Sequence, residues 1–417
     1  MKKGYRKTDV GVIPEDWVAK QLGSLGKFRG GSGFPTKYQG DIEGDYPFFK
    51  VSDMNNEGNS TFMINSNNWI SENTRKQIGA NTFPANTIVF AKIGAAIFLE
   101  RKKILSQESC IDNNMMGFVL DDGTAHHRFV HYLFLSIQLG KLVAATALPS
   151  LNGRDIAGLA YGIPKLPEQT AIAAVLSDAD ALIISLEKLI TKKRNIKQGA
   201  MQELLMPKEG WVMKKLGEIF TFSGGYSASR EQLSNDGFCY LHYGDIHGAK
   251  KTFINVKNEY TEIPKLKILL KNVSPKSLLS NGDIVFVDAS EDDEGTSRHI
   301  VVKNTDGIPY ISGLHTIVAK SKDNSLDNDF KRYCFQTKVV KSQFKFYAVG
   351  TKVSGISKAN IAKIEIAIPS KAEQTRIATI LTNMDTEIEV LKQKLAKYRM
   401  IKQGMMQELL TGKTRLI

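Results

Sequence analysis

Residues 163–206 recur without a gap at residues 368–411, with 22 of the 44 aligned positions identical. A repeat of this length constrains architecture more than any local motif, because two copies of one segment must fold alike and bury the same face. The shared positions include Ile163-Pro164, Glu168-Gln169-Thr170 and Ile196-Lys197-Gln198-Gly199, which return as Ile368-Pro369, Glu373-Gln374-Thr375 and Ile401-Lys402-Gln403-Gly404. A weaker repeat opens each half. Trp17, Leu22-Gly23, Phe28 and Gly30-Gly31 are matched 194 residues later by Trp211, Leu216-Gly217, Phe222 and Gly224-Gly225. Because the offset grows from 194 to 205 between these markers, the bodies they frame have drifted in length as well as sequence. A duplicated enzyme would keep similar chemistry in both halves, whereas common framing around private bodies suits a protein that reads two different ligands.

The repeated segments read as long amphipathic helices. No proline falls between Glu168 and Leu205, and each copy opens with a carboxylate in its first turn, where the helix dipole favours one. Ile172, Val175, Leu176, Ala179, Ile183, Leu186, Ile190, Ile196, Ala200 and Leu204 follow three- and four-residue spacing, as do their counterparts from Ile377 to Leu409. About 38 residues at ~1.5 Å per residue make a rod of roughly 57 Å, longer than one small domain can cover. Packing the two copies on each other is the economical solution; two unrelated surface helices are the alternative. Gly199 and Gly404 interrupt good helix at a cost of about 1 kcal/mol each, which suggests close approach by another backbone, or a kink. Lys197-Gln198-Gly199 and Lys402-Gln403-Gly404 are candidate contacts to a second subunit.

Residues 18–155 and 212–360 read as α/β bodies. Short strands are expected at 46–51, 87–92 and 283–287, with helical patterns at 129–141 and 330–344. Arg29-Gly30-Gly31-Ser32, Lys37, and Ser223-Gly224-Gly225-Tyr226 place glycines beside hydroxyls, cations and aromatics, a composition able to bring backbone amides against phosphates. Lys50, Ser52, Asp53 and Lys92 in the first body, with Arg230, His242, Tyr243, Asp245, Arg298 and His315 in the second, sit at expected strand ends or loops where base edges can be read. The acidic run at 291–294, with His299 near it, invites a metal reading. Consecutive carboxylates cannot all face one ion, so a solvated loop is favoured and no metal is expected.

Composition narrows the class. A formal charge of +13 suits a polyanionic partner, and it is spread through the chain rather than gathered in a tail. Three cysteines far apart, with no CxxC, give neither a disulfide framework nor a zinc site and fit a reducing cytoplasm. No signal peptide and no window near the roughly 20 apolar residues of a membrane span are expected, so a soluble, cytoplasmic protein is. Catalytic signatures are missing: there is no Pro-Pro pair and hence no amino-methyltransferase motif, no GxGxxG, and no metal spacing among the seven histidines. Gly412-Lys413-Thr414 imitates the end of a P-loop, but Gln407 stands where its first glycine belongs.

Two dissimilar bodies, each opening on a Trp element and each followed by Ile-Pro-x3-Glu-Gln-x-x-Ile and a helix ending Lys-Gln-Gly-x-Met-Gln-x-Leu-Leu, resemble the specificity subunit of type I restriction-modification systems. The resemblance covers essentially the whole chain. It implies an α/β (α+β-like) fold with two globular target-recognition domains separated by two long helices in an antiparallel coiled coil, related by a pseudo-two-fold repeat. The divisions expected are 1–155 and 211–360 for the recognition domains, with 156–210 and 361–417 for the helical regions. It further implies a non-catalytic DNA-binding chain whose domains each read half of an asymmetric split site. Its expected partners are double-stranded DNA, two methyltransferase subunits and restriction subunits, with no membrane. Glu168, Gln169, Glu373 and Gln374 join the two Lys-Gln-Gly segments as candidate partner contacts. No cofactor is expected on this chain; S-adenosylmethionine, ATP and Mg belong to the partner subunits. The alternatives are the recognition part of a single-chain methyltransferase-nuclease and a non-specific coiled-coil DNA adaptor.

Overall fold

A computed structural model describes residues 3–121, 123–143, 148–249, 251–290, 295–350 and 353–416. The chain divides into two compact units, Met1–Glu187 with Lys394–Ile417, and Lys188–Gln393. The repeated segments form helices Leu166–Leu204 and Lys371–Leu409, 39 residues each. Each helix contributes one part to each unit. The acidic run at 291–294 lies outside the described residues.

In the first unit a five-stranded sheet runs Gly26–Gly30, Met115–Leu120, Ile88–Ala91, Lys102–Leu105, Phe62–Met63. Its neighbours are antiparallel except the last pair. The central strand Ile88–Ala91 is buried at every residue, as its unbroken apolar run requires of a strand covered on both faces. A four-stranded sheet, in which Tyr46–Phe49 lies parallel to Ser109–Ile111, packs beside it. Phe28, Phe90, Phe118 and Phe134 meet in tilted and edge-on contacts at centroid distances of 4.4–6.5 Å and centre the core. Ile172 and Leu176 from one long helix, with Leu409 at the end of the other and Leu410 just after it, close it.

The second unit repeats the plan. Its five-stranded sheet runs Phe220–Gly224, Thr316–Ser321, Ile284–Val287, His299–Lys303, Phe253–Asn255, again antiparallel up to a parallel last pair. Two helix expectations change in detail. The pattern at 129–141 yields a helix His127–Ser136 and a separate turn Leu139–Lys141. The pattern at 330–344 is broken into Lys331–Cys334 and Lys338–Tyr347, because Thr337 caps the second piece by accepting from Val340 N.

The long helices run antiparallel in each unit. In the first, Asp180 meets Lys402 and Glu187 meets Arg399; in the second, Lys193 meets Glu387 and Lys197 meets Asp385. Ile172, Leu176, Leu186 and Ile190 are buried as the periodicity predicts. Val175, Ile196 and Ile401 are not, at 36%, 45% and 41% exposure. Val175, Leu182, Leu189 and Ile196 fall seven residues apart, a line along the flank of the helix that the pairing leaves uncovered. The expectation that no window approaches a membrane span also needs correction. Helix Leu166–Leu204 is long and apolar enough to cross a membrane by length and composition alone. Part of that apolar surface faces the first body, where Ile172, Ala173 and Leu176 are buried.

Candidate nucleic-acid interface

The repeated motifs meet at one joint, built once in each unit. Trp17 Nε1 donates to Glu168 Oε2 at 2.9 Å, and Trp211 Nε1 donates to Glu373 Oε2 at 3.1 Å. Gln169 Nε2 donates to Pro164 O while its Oε1 accepts from His126 N. Gln374 does the same between Pro369 O and Asp327 N. Glu168 carries a further bidentate pair from Arg415, which also grips Asp16 and holds that carboxyl below its usual range. Leu22-Gly23 and Leu216-Gly217 complete the joint: a Cβ at either glycine would stand 3.0 Å from the Cβ of Ala157 or Ala362. Each body is thereby fixed to the start of one long helix.

This geometry reassigns several candidate partner contacts. Glu168, Gln169 and Gln374 are at most 2% exposed and bond within the chain, and Glu373 is engaged by Trp211 and Lys208. Buried side chains with satisfied bonds present nothing to a second subunit. Lys402 and Lys197 are taken by Asp180 and Asp385 at 2.5 Å. Gly199 and Gly404 meet no close backbone among the described residues, since a Cβ at either would find nothing within 4 Å. Gln198 and Gln403 lie exposed beside them.

The glycine pairs also act differently from expectation. Gly31 and Gly225 lack side chains because a Cβ would collide with Asp112 O and Gly313 O, where Ser32 and Tyr226 form parallel bridges. Gly31 N, Ser32 N and Tyr226 N donate to Met115 O, Ile111 O and Ser312 O. Those amides are consumed by the sheet and cannot cradle a phosphate. Gly30 and Gly224 stay open, each with a lysine against its bare Cα.

Other candidates fall into small groups in the first body. Arg29 lies 4.9 Å over the Phe83 ring, and Lys37 4.7 Å over Tyr38. Lys50 Nζ donates to Gln39 Oε1. Ser52 is exposed on the turn Val51–Asn55, whereas Asp53 is buried, accepts from Lys50 N and Asn67 Nδ2, and has its pKa raised by desolvation. Asp53 thus serves the turn. Ser32 Oγ accepts from Asn81 N.

In the second body the candidates converge. Tyr243 lies against His242 in a tilted ring contact at 4.6 Å and meets His315 and His247 edge-on at 5.5 and 6.3 Å. Arg230 donates to Asp245 Oδ1 at 2.8 Å, leaving the buried Asp245 Oδ2 without a hydrogen bond among the described residues. Arg298 Nη1 donates to His247 O. His315 sits at a φ of +57°, a conformation side chains rarely adopt, with Nδ1 3.3 Å from Asp288 Oδ1. An open cleft of about 510 Å³ runs past Gly224, Gly225, His315 and Lys358. Ser223 Oγ is spent on Lys276 O, and Tyr226 is partly buried. Lys358 escaped the sequence reading because it stands at no repeated position.

Two bodies built on the same five-stranded sheet, hung on helices by a repeated joint and differing in their smaller sheets and in the side chains they display, define a duplicated specificity protein. Residues 14–198 and 208–398 each match the type I restriction modification DNA specificity domain, and the chain belongs to that family. It is a type I restriction-modification specificity subunit with two such domains. It is 24% identical over 427 residues to the type I restriction enzyme MjaVIII specificity subunit of Methanocaldococcus jannaschii, covering 97% of this chain and 94% of that protein. The putative MjaX specificity subunit of the same organism is also 24% identical, covering 100% and 97%. In fold the chain is similar to the S subunit of a type I system from M. genitalium, with a TM-score of 0.56, 18% identity, and 98% and 99% of the two chains covered. A chain from a study of type I complex assembly and conformational transition gives the same TM-score at 14% identity, covering 96% and 99%.

Proposed function

We propose that each body reads one half of an asymmetric, split DNA site, that the long helices set the distance between the halves, and that the chain is non-catalytic. The observation that carries this reading is the joint. Trp17-Glu168-Gln169 and Trp211-Glu373-Gln374 are the same construction to within 0.2 Å in the Trp–Glu bond, while the surfaces they support share almost no side chains. In the second body the contact set is Arg230, His242, Tyr243, Arg298 and His315; in the first it is Arg29, Lys37, Lys50 and Ser52. Arg, His and Tyr side chains offer hydrogen bonds and stacking to base edges, and lysines offer charge to phosphates. Methyltransferase subunits carrying S-adenosylmethionine, and restriction subunits using ATP and Mg, supply the chemistry. Their docking surface is the exposed part of the helices around Gln198-Gly199 and Gln403-Gly404, where glycine leaves room for a partner backbone.

Sequencing the methylated positions of host DNA with and without the gene tests this. Loss of one bipartite motif is the expected result, and an unchanged methylome overturns it. Exchanging residues 18–155 for the same body of a relative should replace one half-site only.

A further inference from the structure

The two bodies place a lysine over the first glycine of the pair by different routes. In the first body Ala91 faces Met115, Lys92 N donates to Asn114 O, and Leu151 N donates to Lys92 O. In the second, Val287 faces Thr316, Asp288 N donates to His315 O, and Ile356 N donates to Asp288 O. Lys92 and Asp288 therefore occupy the same place in the same sheet, with opposite charge. Asp288 is turned to His315 and brings no cation.

The cation missing at that place comes from elsewhere. Lys358 opens the helix Lys358–Ile361, and the residue at its place in the first body is Gly153, which opens Gly153–Ala157. A Cβ on Gly224 would lie 3.4 Å from Lys358 Nζ; one on Gly30 would lie 3.5 Å from Lys92 Nζ. Where the shared position holds lysine, the helix start holds glycine; where it holds aspartate, the helix start holds lysine. Neither ammonium has an acidic partner among the described residues. A lysine kept only for solubility has no reason to be restored at one spot from a second position. Restoration at one spot is what a fixed anion demands.

Resting on the DNA-reading function above, we infer that Lys92 and Lys358 are equivalent contacts, one per half-site, to a backbone phosphate of the DNA. The bare glycine lets the phosphodiester approach the strand, and the lysine meets it as a point charge. Because Gly31 N and Tyr226 N are committed to the sheet, the charge comes from these side chains and not from an amide nest. Such contacts fix each body's placement on the duplex and carry no sequence preference themselves.

The test uses the full chain with its methyltransferase subunits, and a fluorescent duplex carrying the methylated motif beside one of unrelated sequence, titrated at several salt concentrations. K92Q and K358Q should each reduce the slope of log K against log salt by about 0.9, and the double variant by about twice that. Both duplexes should weaken alike, K92R and K358R should keep most of the slope, and melting temperatures should not move. If the unsubstituted complex binds with a steep salt dependence and the Gln variants keep its slope, the inference is overturned while the DNA-reading function stands. Weakening confined to the motif duplex overturns it too, since that is base reading. A complex that binds neither duplex refutes the underlying function.

Discussion

Lys402 Nζ lies 2.5 Å from Asp180 Oδ1, and Lys197 Nζ lies 2.5 Å from Asp385 Oδ1. The two pairs are one pair repeated, since each lysine and each aspartate has its copy 205 residues away. Each aspartate also accepts from a tyrosine of its own body, Tyr132 at 2.7 Å and Tyr333 at 2.8 Å. Burial, first, raises both phenols' pKa, so they remain donors. The aspartate thus ties three things together: its helix, the opposing helix, and the body.

Breaking this tie should destabilise one unit at a time. Asp180 and Lys402 are 16% and 17% exposed, so Asp180→Ala, which strands Lys402 and takes an acceptor from Tyr132 and Arg128, should cost about 2 kcal/mol. Asp385 is 34% exposed, so solvent screening should make Asp385→Ala milder, at about 1 kcal/mol. Thermal unfolding of both variants checks the order; equal losses would mean the exposure difference does not govern the pair.

The C-terminal arginine supports a similar expectation. Glu168 is 1% exposed and is bonded by Arg415 and Trp17. Removing residues 415–417 should leave that carboxylate buried beside one neutral donor and lower the first unit's stability by about 3 kcal/mol. Glu168→Gln in the truncated chain should recover part of the loss. A truncated chain that melts with the full one would show the network to be ornamental.

The repeat made the helices, the bodies and the duplication legible, because a 3.6-residue apolar period and a shared sequence are local signals. The role of Glu168-Gln169 was not legible. A recurring polar pair reads as a common partner contact until the fold brings Trp17 to it from 151 residues away. Arg128 and Arg332 carry the same lesson: they lie over Phe62 and Phe253 and reach Asp180 and Asp385 from positions that do not align. Lys358 was hidden for the same reason. Alignment of the halves finds what was kept in sequence and misses what was rebuilt in space.

Two buried histidines set an acid limit. Burial pushes His131 and His299 down to about 4. The unfolded chain takes up a proton near 6.5 and the folded one only near 4, so stability is full above 6.5 and falls as pH drops through that window. Each histidine accounts for a loss of roughly 3 kcal/mol over the whole range. Urea unfolding at pH 7 and pH 5 should show the fall, and His131→Gln and His299→Leu should each flatten it. A pH-independent midpoint in the unsubstituted chain would rule this out.

The last expectation concerns the helices as a spacer. They pass from one unit to the other between the pairs Glu187–Arg399 and Lys193–Glu387. Because the helices are antiparallel, lengthening one alone would slide these pairs out of register. Lengthening both by a heptad, through duplication of residues 183–189 and 388–394, keeps the apolar stripe and both sets of ion pairs. A heptad extends a helix by roughly 10 Å, and a base pair advances DNA by ~3.4 Å, so the upper limit is about three base pairs. Oblique docking reduces that projection. The double insertion should lengthen the preferred spacer by about one to three base pairs with both half-site sequences intact; the single insertion should mainly cost stability. Methylome sequencing reads both. Efficient modification at the original spacing by the double variant would mean that something other than helix length sets the distance.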